Sequence, residues 1–341
     1  MATEYATNTI DIPLPPVAAV TGGTGFIGSQ VVRLLHNAGV EVRVLTIPGD
    51  PATLLADLPI ARIGGDIASG AGLEQLMRGA DAVFHLAAIY ALWLPNRSRM
   101  FEVNVGGTRN IMAAARRAGI KRVVHTSSIA AVGYRNGKAV SDETDSFNDW
   151  ELADDYVLSK YISEVEALAA NGDGLDVVVV NPAFPLGHGD IGPTPTGRIV
   201  RETLRGRLPF AVKGGLNVVD VRDVAAGHVL AWRHGRAGQR YILGGDNVSN
   251  RELSSMICKL GGRSEPRFVM PTTPLRFAGQ LSESVAQRVT HRAPMLTERS
   301  VAYTAGRHLF FDVSKARDEL GYAPKPASEA IAASVAWFVG G

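Results

Sequence analysis

The chain has 341 residues, of which 46% are apolar and 20% are charged, and its formal net charge is only +2. These values are ordinary for a folded soluble protein, so they exclude fibrous and disordered classes and predict a sizeable core. The small net charge gives no sign of a nucleic-acid partner, and none is expected. The single cysteine, Cys258, excludes an internal disulfide and fits a reducing compartment.

The start of the chain carries no targeting pattern. Met1 to Pro16 has neither a basic start nor an apolar run, so we expect no signal peptide and a loosely ordered lead-in over 1–16. No segment approaches the roughly 18 consecutive apolar residues of a membrane span. The expectation is a soluble, cytoplasmic protein without a membrane span.

Short apolar runs alternate with longer amphipathic ones in the first half of the chain. The apolar runs predict strands at Val17 to Val20, Val40 to Leu45, Ile60 to Ile63, Ala82 to Ala87, Arg122 to Thr126 and Leu175 to Val180. Helices are predicted at Gly25 to Asn37, Gly72 to Gly79, Ser98 to Ala118 and Ala153 to Ala170. Apolar strands that alternate with helices indicate a parallel sheet covered on both faces. The predicted fold class is therefore α/β, a Rossmann-type doubly wound parallel sheet.

The pattern changes beyond Pro182, where glycine and proline interrupt the chain repeatedly. Short helices are predicted there at Gly197 to Arg205, Val221 to Trp232, Arg251 to Leu260 and Ala327 to Phe338. We expect a dinucleotide-binding domain over 17–182 and a smaller C-terminal substrate-binding lobe over 183–341, placed over the carboxyl ends of the strands. Strand-like runs near 217–221 and 241–244 predict that this lobe is partly interleaved with the main sheet.

A glycine-rich loop, TGGTGFIG at 21–28, lies between the first strand and the first helix. A tight turn needs Gly22, close approach of a pyrophosphate needs Gly25, and close packing of helix on strand needs Gly28. The helix N-terminus that follows offers unpaired N–H groups and a partial positive charge. A glycine-rich turn alone is weak evidence, but this position in a βαβ unit predicts a dinucleotide cofactor, NAD or NADP.

Other residues near strand ends are candidates for the same cofactor site. Asp66 follows the third strand, where an adenine would lie, and a helix N-cap is an equal alternative for it. His85 is expected to be a packed strand histidine, and no metal site is predicted. The remaining candidates are Phe26, Ile27, Thr46, Ile67, Leu86, Ala87, Ala88 and Thr126.

The candidate catalytic residues are Ser128, at the end of the fifth strand, and Tyr156 and Lys160 at the start of the next helix. Residues at i and i+4 share a helix face, so the Lys160 ammonium can lie beside the Tyr156 phenol. A free tyrosine has a pKa of about 10, and the neighbouring Lys160 ammonium and a positive nicotinamide ring are both expected to lower it. Tyr-x-x-x-Lys is common by chance, but its order after the glycine loop and strand five predicts an acid/base pair.

The motifs form a recognisable set: TGGTGFIG at 21–28, HLAA at 85–88, NVGGT at 104–108, TSS at 126–128, YxxxK at 156–160 and NP at 181–182. Together they resemble the extended short-chain dehydrogenase/reductase family over nearly the whole chain. Within it the sequence is similar to the dihydroflavonol 4-reductase and 3β-hydroxysteroid dehydrogenase branch. The runs AIYALW at 88–93 and PTPTGR at 193–198 resemble bacterial proteins called hopanoid-associated sugar epimerases.

The resemblance implies a role for each candidate residue. Tyr156 would be the acid/base, Lys160 would bind the nicotinamide ribose, and Ser128 would orient the reacting oxygen. The segment Asn181-Pro182-Ala183 would meet the nicotinamide end. Asn104 would support the site from its helix, although a helix-start hydrogen bond is an equal alternative for it.

Three reactions share this machinery: ketone reduction, sugar epimerisation and sugar dehydration. Dehydratases of the family carry an Asp-Glu pair where this chain has Ile129 and Ala130, and the run NPAFPLG at 181–187 resembles the reductase branch. We therefore predict an NAD(P)-dependent oxidoreductase that interconverts a secondary alcohol and a ketone. A nucleotide-sugar epimerase with bound NAD is the alternative, and a non-catalytic dinucleotide-sensing regulator is less favoured.

The predicted substrate pocket is largely apolar. Its residues are Tyr90, Trp93, Ser128, Phe184 and Leu186. They suit a bulky, apolar or ring-bearing small molecule better than a sugar diphosphate, with ordinary packing between lobes as the alternative for each. Three arginines at 198, 201 and 205 could still bind phosphate, or form a solvated helix face.

The end of strand two bears on the choice between NAD and NADP. Enzymes for NAD commonly place an acidic residue here, and enzymes for NADP an arginine, whereas this chain has Thr46 and Ile47. A 2′-phosphate bound without a cation would lose its hydration with no charged partner to compensate for the cost in free energy. The 2′-hydroxyl of NAD is neutral, and Thr46 can hydrogen-bond it. Arg43 on this strand and Arg62 on the next strand could still swing toward a phosphate. The sequence favours NAD, and it leaves the oligomeric state open, with a homodimer as one possibility.

Overall fold

The computed structural model describes residues 13–91, 93–135, 140–286, 288 and 297–340. Of the lead-in predicted over 1–16, residues 1–12 lie outside the described residues, and 13–15 have no regular secondary structure. In the described part of the chain, no helix combines the length and the apolar character that crossing a membrane requires.

The helices and strands follow one another in the predicted α/β order. The strands are β1 Val17–Thr21, β2 Glu41–Thr46, β3 Ala61–Gly64, β4 Ala82–His85, β5 Arg122–Thr126, β6 Asp176–Pro182, β7 Phe184–Leu186, β8 Ala211–Val212, β9 Gly215–Asp220, β10 Arg240–Leu243, β11 Asp246–Ser249, β12 Val269–Met270 and β13 His308–Leu309. The helices are α1 Phe26–Asn37, α2 Leu73–Met77, α3 Ser98–Phe101, α4 Gly107–Arg117, α5 Asp155–Ala169, α6 Pro195–Leu204, α7 Val221–His234, α8 Asn250–Leu260, α9 Thr272–Val285, α10 Glu298–Thr304, α11 Ser314–Leu320 and α12 Ala327–Gly340.

The main sheet has seven parallel strands in the order β10-β6-β5-β4-β1-β2-β3. Strand order reverses between β1 and β4, and this reversal opens a crevice at the carboxyl ends of the strands. Alternate residues of β1 face opposite sides: Val20 packs in a core with α1 and α7, and Ala19 in a core with α2 and α4. The prediction of a doubly wound Rossmann-type sheet is confirmed.

The helix predicted from Ser98 to Ala118 is one helical run with a change of pitch. A π-helical segment at Glu102–Gly106 separates α3 from α4. Single π-helical turns inside α-helices are frequent at functional sites. Asn104 lies in the middle of this segment, and its side chain is buried.

The C-terminal lobe contains a second sheet, and one prediction about it was wrong. The run near 217–221 does not rejoin the main sheet: β9 is the centre of a four-stranded sheet with β7, β11 and β13. The strand that does join the main sheet is β10, at its edge beside β6. Asn217 explains the placement of β9, because its buried amide bonds the backbone of Gly245 and Phe311 inside the lobe.

Candidate active site

A cleft of about 580 Å³ runs along the carboxyl ends of the central strands. Most of the predicted cofactor and catalytic residues line it. These are Gly22, Gly25, Phe26, Ile27, Gly28, Asp66, Ile67, Leu86, Ala87, Ala88, Thr126, Ser128, Tyr156, Lys160, Pro182 and Ala183. Residues separated by more than 150 positions in the sequence therefore meet in one cavity.

The glycine loop presses backbone against backbone at the floor of this cleft. Gly22 has φ +69, and a Cβ there would lie 2.5 Å from the Ala87 nitrogen. A Cβ on Gly28 would lie 2.0 Å from the Gly22 oxygen. Gly25 precedes α1 and has no side chain that could cap the helix, so the N–H groups of the first turn face the cleft uncapped. This is the arrangement that an anionic pyrophosphate requires.

The end of the cleft that is predicted to receive the adenosine lies at the ends of β2 and β3. Leu45 and Ile47 line it, whereas the structure differs from the prediction for Thr46, which does not line it. Successive strand residues point to opposite faces, so the side chain between Leu45 and Ile47 turns away, and the Thr46 hydroxyl donates toward the Ile63 carbonyl at 3.4 Å. Asp66 lines the cleft, and it caps a turn at the Ala68 nitrogen (2.8 Å) instead of a helix.

Asp50 is a cleft residue that the sequence analysis missed. It follows β2 by four positions and faces the glycine loop, where the Thr24 hydroxyl donates to Asp50 Oδ2 at 2.7 Å. The signal that could have found it is weak, because an aspartate in a Pro-Gly-Asp-Pro loop is ordinary turn chemistry. A carboxylate therefore lies near the end of β2, four residues beyond the strand end where NAD enzymes commonly have an acidic residue.

Ser128, Tyr156 and Lys160 come together at the centre of the cleft. Ser128 begins a short helical turn, where its hydroxyl accepts from the Ala130 nitrogen at 3.1 Å, and it lies close enough to Tyr156 to influence the phenol. Tyr156 lies in the first turn of α5, which starts where Asp154 accepts from the Val157 nitrogen at 2.9 Å. One turn later Lys160 Nζ donates to the Thr126 carbonyl at 2.6 Å.

The electrostatics of these three residues differ from the prediction in one respect. Burial, assisted by the neighbouring Tyr90, raises the pKa of Tyr156 above its usual value, and the hydrogen bond from Ser128 only partly opposes this. The expected lowering therefore does not occur in the protein alone, and Tyr156 is a protonated phenol at neutral pH. Burial lowers the pKa of Lys160 to about 8, while Glu164 raises it.

Two asparagines hydrogen-bond the backbone segments around the site. Asn104 Oδ1 accepts from the Ile89 nitrogen at 2.7 Å and Nδ2 donates to the Ile89 carbonyl at 3.0 Å, so it fixes the segment after β4. Asn181 differs from its prediction, because its side chain does not line the cleft. Its Nδ2 instead donates to the Ser128 carbonyl at 2.9 Å and to Glu164 at 2.6 Å, since this position of β6 faces α5.

The side chains predicted for the substrate pocket divide between two connected cavities. Phe184 lines the cleft, Trp93 lines a second cavity of about 420 Å³, and Tyr90 lines both. The ring of Tyr90 lies against that of Tyr156, with centroids 4.6 Å apart. Leu186 differs from its prediction: it is 1% exposed and packs in the main core, because β7 turns inward to pair with β9.

The arginines of α6 are mostly committed to neighbours. Arg201 and Arg205 both reach the Glu202 carboxylate, at 2.9 and 3.5 Å. Arg198 lines the second cavity and donates to the Pro193 carbonyl at 3.2 Å. The helix thus presents at most one cation to the cavity.

Comparison with known proteins gives the family. The model of the NAD dependent epimerase/dehydratase family matches residues 18–244. A Synechocystis protein named "Putative dihydroflavonol 4-reductase" is 41% identical and aligns over 94% of this chain and 93% of its own length. "Sterol demethylase protein B" of Methylococcus capsulatus is 33% identical and aligns over 94% of this chain and 97% of its own length. The crystal structure of gox2253 superposes with a TM-score of 0.83, at 38% identity over 95% of this chain and 98% of that one.

The chain belongs to the NAD dependent epimerase/dehydratase family. It is an NAD(P)-dependent oxidoreductase of the extended short-chain type, acting on CH–OH groups, and the resemblance to the dihydroflavonol 4-reductase branch is confirmed. The residues of this oxidoreductase fit such a cofactor: Gly22 and Gly28 have no room for a side chain, and the uncapped start of α1 faces the same cleft.

Tyr303 is another residue of this oxidoreductase's site that sequence reasoning missed. It comes from α10 in the C-terminal lobe and lines the cleft that holds Tyr156. Arg307 lies over its ring at 5.0 Å and forms an ion pair with Asp149 at 2.8 Å. No motif surrounds Tyr303, so only the packing of the lobe against α5 shows that it belongs to the site.

Proposed function

We propose that this enzyme interconverts a ketone and a secondary alcohol on a bulky, apolar or ring-bearing small molecule, with Tyr156 as the acid/base. The observation that supports this most is the second cavity, which shares Tyr90 with the catalytic cleft. Its wall is mainly apolar, with Trp93, Ile191 and Pro193 among its residues. Relatives named for dihydroflavonol and sterol chemistry agree with a ring-bearing substrate.

In the direction of reduction, Tyr156 gives its hydroxyl proton to the carbonyl oxygen of the substrate. Because its pKa is raised in the protein alone, the phenol carries its proton before the reaction, and a charge that favours the phenolate helps to release it. Ser128, which lines the same cleft beside Tyr156, donates a hydrogen bond that holds the same oxygen in place. When bound, the reduced nicotinamide supplies the hydride that the carbonyl carbon accepts. The ammonium of Lys160 in the same cleft favours the phenolate that remains.

The function is tested by following nicotinamide absorbance with each substrate class. We expect NADH to be consumed with hydrophobic ring-bearing ketones and not with UDP- or dTDP-sugars. Conversion of a nucleotide sugar to its epimer without net change in absorbance would favour the epimerase alternative. The arrangement of α6 argues against it, because Arg201 and Arg205 bond Glu202, and of these α6 arginines only Arg198 lines the second cavity.

Trp93→Ala is expected to raise KM for the true substrate about tenfold with a small change in kcat. The substitution removes buried aromatic contact worth about 1–2 kcal/mol from the wall of the second cavity, away from the reacting atoms. Trp150→Ala is the matched control, since Trp150 is exposed and lines neither cavity. Equal KM values for the two variants would contradict the assignment of this cavity to the substrate.

We also propose a preference for NAD(H) over NADP(H). Arg43 bonds Glu41 at 2.8 Å, Arg62 bonds the Leu55 carbonyl at 2.7 Å, and neither lines the cleft. The carboxylate of Asp50 does line it, and it would repel a 2′-phosphate while accepting a hydrogen bond from a 2′-hydroxyl.

The wild type is expected to bind NADH at least about tenfold more tightly than NADPH, because Asp50 repels a 2′-phosphate and the cleft arginine Arg99 is already paired with Asp66 at 3.1 Å. Ile47→Arg should narrow or reverse this preference, since Ile47 lines the adenosine end of the cleft. Arg62→Gln is the control and should leave both dissociation constants unchanged. Fluorescence titration of each cofactor gives the answer, and tighter NADPH binding by the wild type would refute the preference.

A further inference from the structure

A buried pair of charges lies behind the catalytic side chains, and the chemistry described above does not use it. Glu164 follows Lys160 by one turn of α5, and 3% of its side chain is exposed. Arg240 of β10 donates from Nη1 to Glu164 Oε1 at 2.8 Å. Burying such a pair costs several kcal/mol of desolvation per ion, so stability alone is a poor explanation for it.

Arg240 is fixed from several directions. Its Nη2 donates to the carbonyls of Glu143 at 2.9 Å and Asp145 at 2.7 Å, and its Nε donates to Glu143 again at 3.0 Å. The Glu143 carboxylate in turn accepts from the Ile242 nitrogen at 2.7 Å. A guanidinium held by this many acceptors gives the Glu164 carboxylate a rigid partner.

The other oxygen of Glu164 faces the active site. Glu164 Oε2 accepts from Asn181 Nδ2 at 2.6 Å, and the same amide donates to the Ser128 carbonyl at 2.9 Å. Tyr156, Lys160 and Glu164 are spaced i, i+4 and i+8, so they share one face of α5. A single carboxylate is thus linked through one amide to the Ser128 backbone and stands next to Lys160.

We propose that Glu164 is a positioning residue, anchored by Arg240, that holds the Ser128 backbone through Asn181 and presents a negative charge to Lys160. This inference rests on the acid/base role proposed above for the site. The charge of Lys160 acts on two further titratable groups, namely His85 on β4 and His125 on β5. Burial lowers the pKa of His85 to about 3 and that of His125 well below its usual value, so both are neutral. In the described part of the chain, the carboxylate that raises the pKa of Lys160 is Glu164.

Glu164→Gln is expected to move the alkaline limb of kcat/KM to lower pH. In the wild type the limb reflects loss of the Lys160 proton, whose pKa is about 8. Removing the carboxylate removes the charge that favours the ammonium, so the midpoint should fall by about one pH unit. Glu166→Gln is the matched control on the same helix, because Glu166 pairs with the exposed Arg109 at the surface, and its midpoint should stay in place.

A second readout needs no substrate. The affinity for NADH, measured by fluorescence between pH 6 and 10, should fall as Lys160 loses its charge. This fall should occur at a lower pH in Glu164→Gln than in the wild type. If the wild type reduces no ketone, the proposed function fails, whereas the NADH titration still tests Glu164.

Breaking a buried pair can prevent folding, so the double variant Glu164→Gln, Arg240→Gln is measured alongside. It removes both charges together, which proteins tolerate better than the loss of one. We expect the midpoint to fall in this variant too, although by less, because the Arg240 cation is removed together with the carboxylate beside Lys160. Midpoints equal to the wild-type value in the folded variants would overturn the proposal.

Discussion

Tyr156→Phe is expected to lower kcat by a factor of about 10²–10⁴ or more, the usual contribution of a general acid–base group. The hydroxyl is the only part removed, and with it the proton that the substrate oxygen takes up. The dissociation constant of NADH should change little, because the cofactor cleft is built mainly from the glycine loop and the ends of β2 to β6. Steady-state rates and NADH titration of the same preparation separate the two effects.

Tyr161→Phe provides the matched control for this substitution. Tyr161 lies on the same helix and stacks on Phe147, with ring centroids 4.5 Å apart, but it does not line the cleft. We expect wild-type kcat from this variant. Rates within a few fold of wild type in Tyr156→Phe would remove Tyr156 from the mechanism.

Gly22→Ala is expected to weaken NADH binding by about 10²-fold and to destabilise the fold by about 2–4 kcal/mol. The new methyl group would lie 2.5 Å from the Ala87 nitrogen and 2.6 Å from the Leu86 carbonyl carbon, which are backbone atoms and cannot rotate away. The end of β4 must move, and Gly22, Leu86 and Ala87 all line the cofactor cleft. Chemical denaturation and NADH titration measure the two losses.

Gly39→Ala separates the clash from the cost of the backbone conformation. Gly39 has φ +84, so an alanine there is strained in the same way, but nothing lies within 4 Å of its Cβ position. The variant should lose about 1–2 kcal/mol of stability and keep the wild-type affinity for NADH. A Gly22→Ala enzyme that binds NADH as well as the Gly39→Ala enzyme does would show that the cofactor does not depend on this close approach.

The protonation of the catalytic pair has a consequence for the direction of catalysis. Tyr156 is buried and protonated, which suits reduction, whereas oxidation of an alcohol needs the phenolate as a base. The positive charge of an oxidised nicotinamide and the Lys160 ammonium both favour that phenolate. The oxidative rate is therefore expected to depend more strongly on an intact Lys160 and on the charge of Glu164 than the reductive rate does.

Features set by short stretches of chain could be predicted from the sequence. The strands of the main sheet, the glycine loop and the Tyr156–Lys160 spacing all follow from local periodicity or from backbone demands within a few residues. The π-helical segment at Glu102–Gly106 could not be predicted from the sequence, because its residues fit an ordinary α-helix equally well. The raised pKa of Tyr156 in the protein alone was also missed, because burial depends on Tyr90 and on the lobe above, not on the nearby lysine.

The sequence by itself determined the Rossmann-type fold and predicted a cofactor site and a set of catalytic side chains, since each of these depends on neighbours along the chain. Only the tertiary structure decided that Asn181 turns to Glu164, that Leu186 is core and that Tyr303 reaches the cleft. The reason is physical. Which face of a strand meets which distant helix is fixed by packing across the whole molecule, and a local pattern contains no information about that choice.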